Sequence, residues 1–152
     1  MQHFVIDTSV LVWAFSENPL KERVDRLLHE VALDKIKLYA PTLLWYEFYS
    51  VMIKTKPNVQ EALEAMQRFE NFIEDEVIEI CEKEITKEAL TIAYNQETGK
   101  QGYIHPNDSY FHALALHLNC PFLTNDEKHY NKTKDTIRNI MMFSDLELPA
   151  LP

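Results

Sequence analysis

The sequence predicts an α/β fold in which a parallel β-sheet is covered by helices on both faces. Short apolar runs alternate with amphipathic helical segments along the whole chain of 152 residues. This alternation is typical of parallel sheets that are buried on both sides. No repeat, low-complexity segment or linker divides the chain, and its length suits one domain. We therefore expect a single domain over residues 1–152.

Five short apolar runs, each bounded by turn residues, predict the strands of this sheet. The first run ends at Asp7, the second is stopped by Pro41, and the fourth leads directly into Asp126. Strands of a parallel sheet are buried on both faces, so nearly continuous apolar runs are expected of them. The predicted strands are His3–Ile6, Lys37–Ala40, Val77–Ile80, Phe122–Thr124 and Ile140–Phe143.

Helices are predicted where apolar residues recur at spacings of three and four. Thr8 or Ser9 is expected to cap the first helix and Thr42 the third, because hydroxyl side chains accept from exposed amides there. Pro57 is expected to end the third helix. The predicted helices are Ser9–Phe15, Leu20–Val31, Leu43 to the residue before Pro57, Val59–Ile73, Thr86–Asn95, Asp108–Leu118 and a short basic helix after Asp126.

The composition excludes several classes of protein. Gly99 and Gly102 are the only glycines, so glycine-rich phosphate loops and dinucleotide fingerprints are excluded. No apolar run approaches the roughly 20 residues of a membrane helix, and the N-terminus lacks the basic and apolar regions of a signal peptide. Cys81 and Cys120 lie far apart without metal-binding spacing, as expected of buried thiols in a reducing compartment. We expect a cytoplasmic protein.

Four acidic residues stand at the ends of predicted elements or interrupt apolar stretches. Asp7 and Asp126 end strands, Asp108 opens the sixth predicted helix, and Glu47 follows the apolar residues Leu43–Tyr46. In parallel sheets the functional crevice lies beyond the carboxyl ends of the strands, near the point where strand order reverses. We therefore expect the four acids to meet there, although each alone is also an ordinary turn, cap or helix residue.

A cluster of four carboxylates points to a divalent metal ion. Neighbouring like charges raise the pKa of at least one carboxyl group when no counterion is present. One or two Mg²⁺ or Mn²⁺ ions relieve this repulsion and prefer oxygen ligands. Such ions activate water and stabilise a phosphate under attack. The polar neighbours expected to orient the ligands or to contact water and phosphate are Thr8, Ser9, Thr124 and Asn125.

The motifs that contain these acids run in order along the chain. They are Phe4-Val5-Ile6-Asp7-Thr8-Ser9-Val10-Leu11, the embedded Glu47, Asp108-Ser-Tyr-Phe-His-Ala-Leu-Ala-Leu, and Pro-Phe-Leu-Thr124-Asn-Asp126. Together they resemble the PIN-domain family of ribonucleases, which includes the VapC-type toxins of bacterial and archaeal toxin–antitoxin pairs. The resemblance spans Phe4 to Phe143.

This resemblance implies a PIN-like three-layer α/β/α fold with a central five-stranded parallel sheet. It implies an endoribonuclease that uses Mg²⁺ or Mn²⁺ to hydrolyse RNA, often a homodimer, with a small antitoxin protein as a further partner. Its metal-binding and catalytic acids correspond to Asp7, Glu47, Asp108 and Asp126, and its catalytic hydroxyl to Thr124. The chain departs from the family in its long proline-bearing loop before Asp108 and in its acidity.

The net charge of −9 opposes binding to RNA, because the phosphate backbone attracts basic surfaces. A local basic strip follows Asp126 and is the predicted RNA-binding surface. Acidic residues concentrate instead between Glu70 and Glu88, which we interpret as a solvated face. The strip consists of Lys128, Lys132, Lys134 and Arg138.

Two other functions remain open on the sequence. A non-catalytic PIN-like RNA-binding or scaffolding module needs none of the four acids, so their presence argues against it. A phosphoaspartyl phosphatase would use Asp7 as nucleophile, but Ser9 stands where such a site places a second acid. His112, four residues after Asp108, is an expected ion-pair partner of that acid, and His129 an expected partly exposed polar residue.

The helices Leu20–Val31 and Leu43–Met66 carry more apolar residues than one face of a small sheet needs. We expect a homodimer through these helices, with the acidic sites facing a shared groove. The aromatic run Trp45, Tyr46, Phe48 and Tyr49 belongs to this surface or to the core rather than to a base-stacking platform.

Overall fold

The computed structural model describes residues 1–15 and 19–152, and the backbone alone of Trp13. These residues contain one sheet of five parallel strands in the order β3-β2-β1-β4-β5. The register pairs Phe4 with Leu38 on one side and Val5 with Phe122 on the other. The strands are β1 (Gln2–Ile6), β2 (Ile36–Pro41), β3 (Val77–Ile80), β4 (Phe122–Thr124) and β5 (Ile140–Met142).

Helices connect successive strands on both faces of the sheet. The chain steps outward from β1 to β3 and then crosses back through β4 to β5, so right-handed connections place α1–α4 on one face and α5–α7 on the other. This is the predicted three-layer architecture. The α-helices of the described residues are α1 (Thr8–Leu11), α2 (Lys21–Ala32), α3 (Leu44–Thr55), α4 (Val59–Glu76), α5 (Thr86–Ile92), α6 (Pro106–Leu118) and α7 (Glu127–Thr133).

The core lies on both sides of the sheet, around β1 and β4. Val5 and Ile6 are completely buried in β1, and Leu123 is completely buried in β4. Between the sheet and α3–α4, the rings of Phe48 and Phe69 stack with centroids 3.7 Å apart. Such burial favours folding by about 1.5–3 kcal/mol for each large apolar side chain. The middle of the sheet is therefore a rigid base for residues at the strand ends.

The start of three helices differs from the prediction. Asp7 rather than Thr8 or Ser9 caps α1, since its carboxylate accepts from the Ser9 amide. Thr42 does not cap α3, because its hydroxyl donates to the carboxylate of Glu82. Helix α6 begins two residues before Asp108, at Pro106, because proline suits the first turn of a helix. The hydroxyl groups of Thr8 and Thr42 make tertiary contacts instead of capping helices.

His112 and His129 are buried against each other. Nδ1 of His112 lies 2.9 Å from Nε2 of His129, and the other nitrogen of His112 contacts the carbonyl oxygen of Arg138. The expected ion pair between His112 and Asp108 is therefore wrong, as is the partial exposure of His129. Burial lowers the pKa of His112 and lowers that of His129 to about 4.

Helices α3 and α4 leave an apolar stripe at the surface. Tyr46, Tyr49, Ile53 and Leu63 each expose at least half of their surface. Helix α2 has no comparable face, because its apolar residues pack on the sheet. Of the cysteines, Cys120 is buried as predicted and Cys81 is exposed. None of the helices in the described ranges is long and apolar enough to span a membrane.

Candidate functional site

A cleft of about 810 Å³ opens at the carboxyl edge of the sheet, beside β1 and β4. From β1 the chain passes outward to β2, and β4 adds to the other side of β1, so strand order reverses between these two strands. This is where parallel sheets place their functional crevice. The four predicted acids all line the cleft: Asp7, Glu47, Asp108 and Asp126.

Asp7 and Asp126 are joined through the hydroxyl group of Thr124. The Thr124 hydroxyl donates to Oδ2 of Asp7 at 2.7 Å and accepts from the backbone amide of Asp126 at 3.0 Å. The other oxygen of Asp7 accepts from the Ser9 amide at 3.1 Å. Because Thr124 is fully buried at the end of β4, it fixes the Asp7 carboxylate against the adjacent strand.

Glu47 reaches the cleft from the first turn of α3. Its Oε1 accepts from the Thr8 hydroxyl at 2.9 Å, and the nearby side chain of Asn107 favours its charged form. Thr8 belongs to α1, whereas Asn107 lies at the start of α6. Glu47 is therefore held between elements on the two faces of the sheet, and a carboxylate on a rigid helix is presented to the cleft.

The remaining two acids come from the starts of two helices. Asp108 lies in the first turn of α6, where the helix dipole favours a negative charge. Asp126 caps α7, and its Oδ1 accepts from the His129 amide at 3.0 Å. Asp126 is the most exposed of the four acids, which leaves its second oxygen available to a ligand from the cleft.

Burial and mutual repulsion raise the pKa of three of these carboxyl groups. Burial raises the pKa of Asp7, with a smaller contribution from the charge of Asp126. Burial, followed by the charge of Asp7, raises the pKa of Glu47 to about 7 and that of Asp108 to about 6. Hydrogen bonds from Thr8 and Asn107 oppose the shift at Glu47. The cleft therefore concentrates negative charge that a cation neutralises.

The donor set fits a hard divalent cation, since it consists of carboxylate oxygens with hydroxyl groups behind them. In the described residues, however, no three His, Cys, Asp or Glu side chains are already placed to hold a metal ion. Repulsion between like charges keeps such carboxylates apart when no counterion is present. Metal binding by these acids therefore stays a prediction.

A scan against protein-family models matches the PIN domain over residues 4–135. The chain belongs to the PIN domain family. No curated protein sequence matches it. The family match includes all four acids of the cleft, and its span agrees with the predicted resemblance except near the C-terminus.

Two solved structures share the fold of this PIN domain. One is VapBC2 from Rickettsia felis bound to a DNA fragment from their promoter, with a TM-score of 0.68, 16% identity, and coverage of 93% of this chain and 98% of that one. The other is FitAB bound to an IR36 DNA fragment, with a TM-score of 0.68, 18% identity, and coverage of 95% and 97%. At such identities the likeness extends to the fold alone.

Several residues of the cleft were not predicted from the sequence. Lys54 lies two turns after Glu47 on α3, and His105 and Asn107 lie beside Asp108. The position of Lys54 follows from helical periodicity, because residues seven apart lie on the same face. Asn107 follows from no such rule, since its contact with Glu47 depends on how α6 packs against α3.

The predicted polar neighbours and the predicted basic strip are placed as follows. Thr8, Ser9 and Asn125 line the cleft, and the buried amide nitrogen of Asn125 has no hydrogen-bond partner among the described residues. In the strip, the exposed Lys128 lies in the first turn of α7. Lys134 and Arg138 are exposed as well. Lys132 donates to the Tyr103 carbonyl, Lys134 lies over the Tyr130 ring, and the Arg138 carbonyl faces His112.

Proposed function

We propose that this PIN domain is a divalent-metal-dependent endoribonuclease that hydrolyses phosphodiester bonds of RNA in the acidic cleft. The observation that carries the proposal is the meeting of four carboxylates from four different elements in one cleft. Three of them have raised pKa values, so the folded protein disfavours their charged forms. A purely structural role does not explain this electrostatic cost. Family membership supports the same function.

Asp7, Glu47, Asp108 and Asp126 are the residues that would hold one or two Mg²⁺ or Mn²⁺ ions. A bound ion of this kind supplies an activated water molecule and stabilises charge on the phosphate. Thr124 orients the Asp7 carboxylate and Thr8 orients that of Glu47, through the hydrogen bonds described above.

The direct test is cleavage of a labelled single-stranded RNA by metal-stripped protein. We expect no cleavage in EDTA and recovery when Mn²⁺ or Mg²⁺ is added in excess over the chelator, because the acids alone provide no activated water. Cleavage that is equally fast in EDTA would refute the metal-dependent mechanism. The phosphoaspartyl alternative is less well supported, because Asp7 is buried and both of its oxygens accept hydrogen bonds.

We further propose that the protein is the toxin of a type II toxin–antitoxin pair in the cytoplasm. VapBC2 and FitAB, which share its fold, are each bound to a DNA fragment in the solved structures. The expected partner is a small protein encoded next to this chain, with a DNA-binding N-terminal region. Expression of this chain alone should arrest growth, and coexpression of that neighbour should restore it.

A homodimer is proposed through the apolar stripe of α3 and α4. Tyr46, Tyr49 and Ile53 follow helical spacing and are more than half exposed. Tyr46 also lines the cleft, so a second copy seated on this stripe would extend the cleft into a shared groove. Helix α2 is not expected to contribute to the interface, because its apolar face is already buried in the core.

Replacement of Ile53 by Asp is expected to convert this dimer into a monomer. A charge placed in the centre of an apolar interface costs several kcal/mol when it is left unpaired. Light scattering at tens of micromolar should give the mass of two chains for the wild type and of one chain for Ile53→Asp. The exposed Leu90 on α5 provides the matched control, since Leu90→Asp should remain dimeric. A monomeric wild type would contradict the proposal.

A further inference from the structure

A second groove adjoins the acidic cleft. It measures about 570 Å³ and lies between the segment 102–106 and helix α7. Cleft and groove share His105, Asp108 and Asp126 in their walls, so they lie side by side. A polymer that occupies the cleft can therefore continue into this groove past these shared residues.

The two walls of the groove are fastened to each other by Lys132. Its ammonium group donates to the Tyr103 carbonyl at 2.8 Å and lies 4.7 Å from the centre of the Tyr103 ring. This lysine is therefore committed to a contact within the protein. This contact holds the segment 102–106 against α7, and the ammonium group keeps further donors.

Lys128 and His105 retain donors that face the depression. Lys128 is exposed, and it lines both this groove and a neighbouring hollow of about 610 Å³. His105 accepts the Asn107 amide through Nδ1 at 3.2 Å, which leaves Nε2 as the protonated nitrogen of a neutral ring. His105 lines both the cleft and the groove, whereas Lys128 lines the groove and not the cleft.

We propose that this groove holds the single-stranded RNA that flanks the cleaved phosphate, with Lys128 bound to a backbone phosphate and His105 donating from Nε2 to the nucleotide between. The inference rests on the nuclease function proposed above and assigns the path of its substrate. The protein carries a net charge of −9, so a strand leaving the cleft is attracted where a free lysine adjoins it. Lys128 lies two residues after Asp126, at the start of the helix that Asp126 caps.

The inference is tested by comparing Lys128→Ala with Lys87→Ala. Each lysine is exposed and is the second residue of a seven-residue helix, so both variants lose one charge in the same local setting. Lys87 lines neither the cleft nor the groove. Fluorescence anisotropy with an 8-nucleotide RNA is measured in the Asp7→Asn background, where the strand stays intact, and cleavage is measured in the otherwise wild-type chain.

We expect Lys128→Ala to weaken RNA binding about fivefold, the upper range for one exposed ion pair. The slope of log affinity against log salt should fall by about 0.7, as for the loss of one phosphate contact on a single strand. Lys87→Ala should change neither quantity. The RNA is also shortened one nucleotide at a time from each side of the cleavage site. The wild-type protein should lose affinity when one of the two sides is shortened, and Lys128→Ala should show no such loss.

The possible failures are distinguishable. Wild-type protein that cuts RNA, with equal effects of Lys128→Ala and Lys87→Ala on binding and salt slope, would overturn the groove assignment and leave the nuclease function intact. The groove would then be a surface for a protein partner. Wild-type protein that neither cuts nor binds RNA would overturn both proposals.

Discussion

Asp7→Asn is expected to abolish RNA cleavage while the protein stays folded, with a loss of at least about a thousandfold in rate because a proposed metal ligand is removed. Asn retains one oxygen, which can accept from the Ser9 amide as Asp7 does. Its amide nitrogen then faces the Thr124 hydroxyl, which is able to accept as well as donate. The buried charge of Asp7 disappears, so metal-free protein should become more stable.

The measurement is single-turnover cleavage in Mn²⁺ together with urea unfolding in EDTA. Asp75→Asn, an equivalent change at an exposed residue near the end of α4, provides the control and should cut RNA at the wild-type rate. Wild-type cleavage by Asp7→Asn would remove this residue from the site. A large loss of stability in EDTA would instead assign Asp7 a structural role.

The stability of the metal-free protein is expected to fall by about 1 kcal/mol between pH 6 and pH 8. Glu47 has its pKa raised from about 4.5 to about 7, so the folded state binds its proton more tightly than the unfolded state. The folded protein releases this proton as the pH rises from 6 to 8, and the stability that the proton provides is lost by the end of that range. Asp108, with a pKa near 6, adds a smaller loss at the acidic end.

The buried histidines act in the opposite direction at lower pH. His129 has its pKa lowered from 6.5 to about 4, so the unfolded state takes up the proton first and stability decreases as the pH falls through that interval. His112 shifts in the same direction. The metal-free protein is therefore expected to be most stable near pH 6. At that pH, neither the loss of stability from ionised carboxylates nor the loss from the buried histidines is complete.

Urea unfolding at pH 6 and pH 8 in EDTA measures this dependence. Glu47→Gln should flatten most of the fall, because the amide has no proton to lose. Saturating Mn²⁺ should reverse the fall in the wild type, since a ligand that binds only the folded state stabilises it. An equally steep fall in Glu47→Gln and in the wild type from pH 6 to pH 8 would contradict the raised pKa of Glu47.

The sheet and two of the acids were predictable because they depend on local pattern. Val5 and Ile6 form a run that must be buried on both faces, and an acid directly after such a run lies at the carboxyl end of its strand. Asp126 follows β4 by the same rule. The reversal of strand order between β1 and β4 then brings the two acids together through Thr124. No precise side-chain geometry is needed for this conclusion.

The contacts that the sequence did not predict depend on tertiary packing. His112 pairs with His129, which lies 17 positions farther along the chain and on another helix. The spacing of residues within one helix does not predict such a contact. Thr42 is of a residue type that commonly caps helices, but its hydroxyl group donates instead to a glutamate from another segment. The groove likewise depends on Lys132 reaching across to Tyr103. Local propensity was overridden at each of these places.

Titration of Mn²⁺ into metal-free protein by calorimetry tests the metal-binding claim most directly, because it asks about the four carboxylates without requiring a known RNA. At pH 7.5 we expect saturable binding of one or two ions per chain, accompanied by release of protons from groups such as Glu47. Asp108→Asn should weaken binding at least tenfold, and Asp75→Asn should leave it unchanged. Absence of binding to the wild type, or equal binding to wild type and Asp108→Asn, would contradict the account and favour a non-catalytic module.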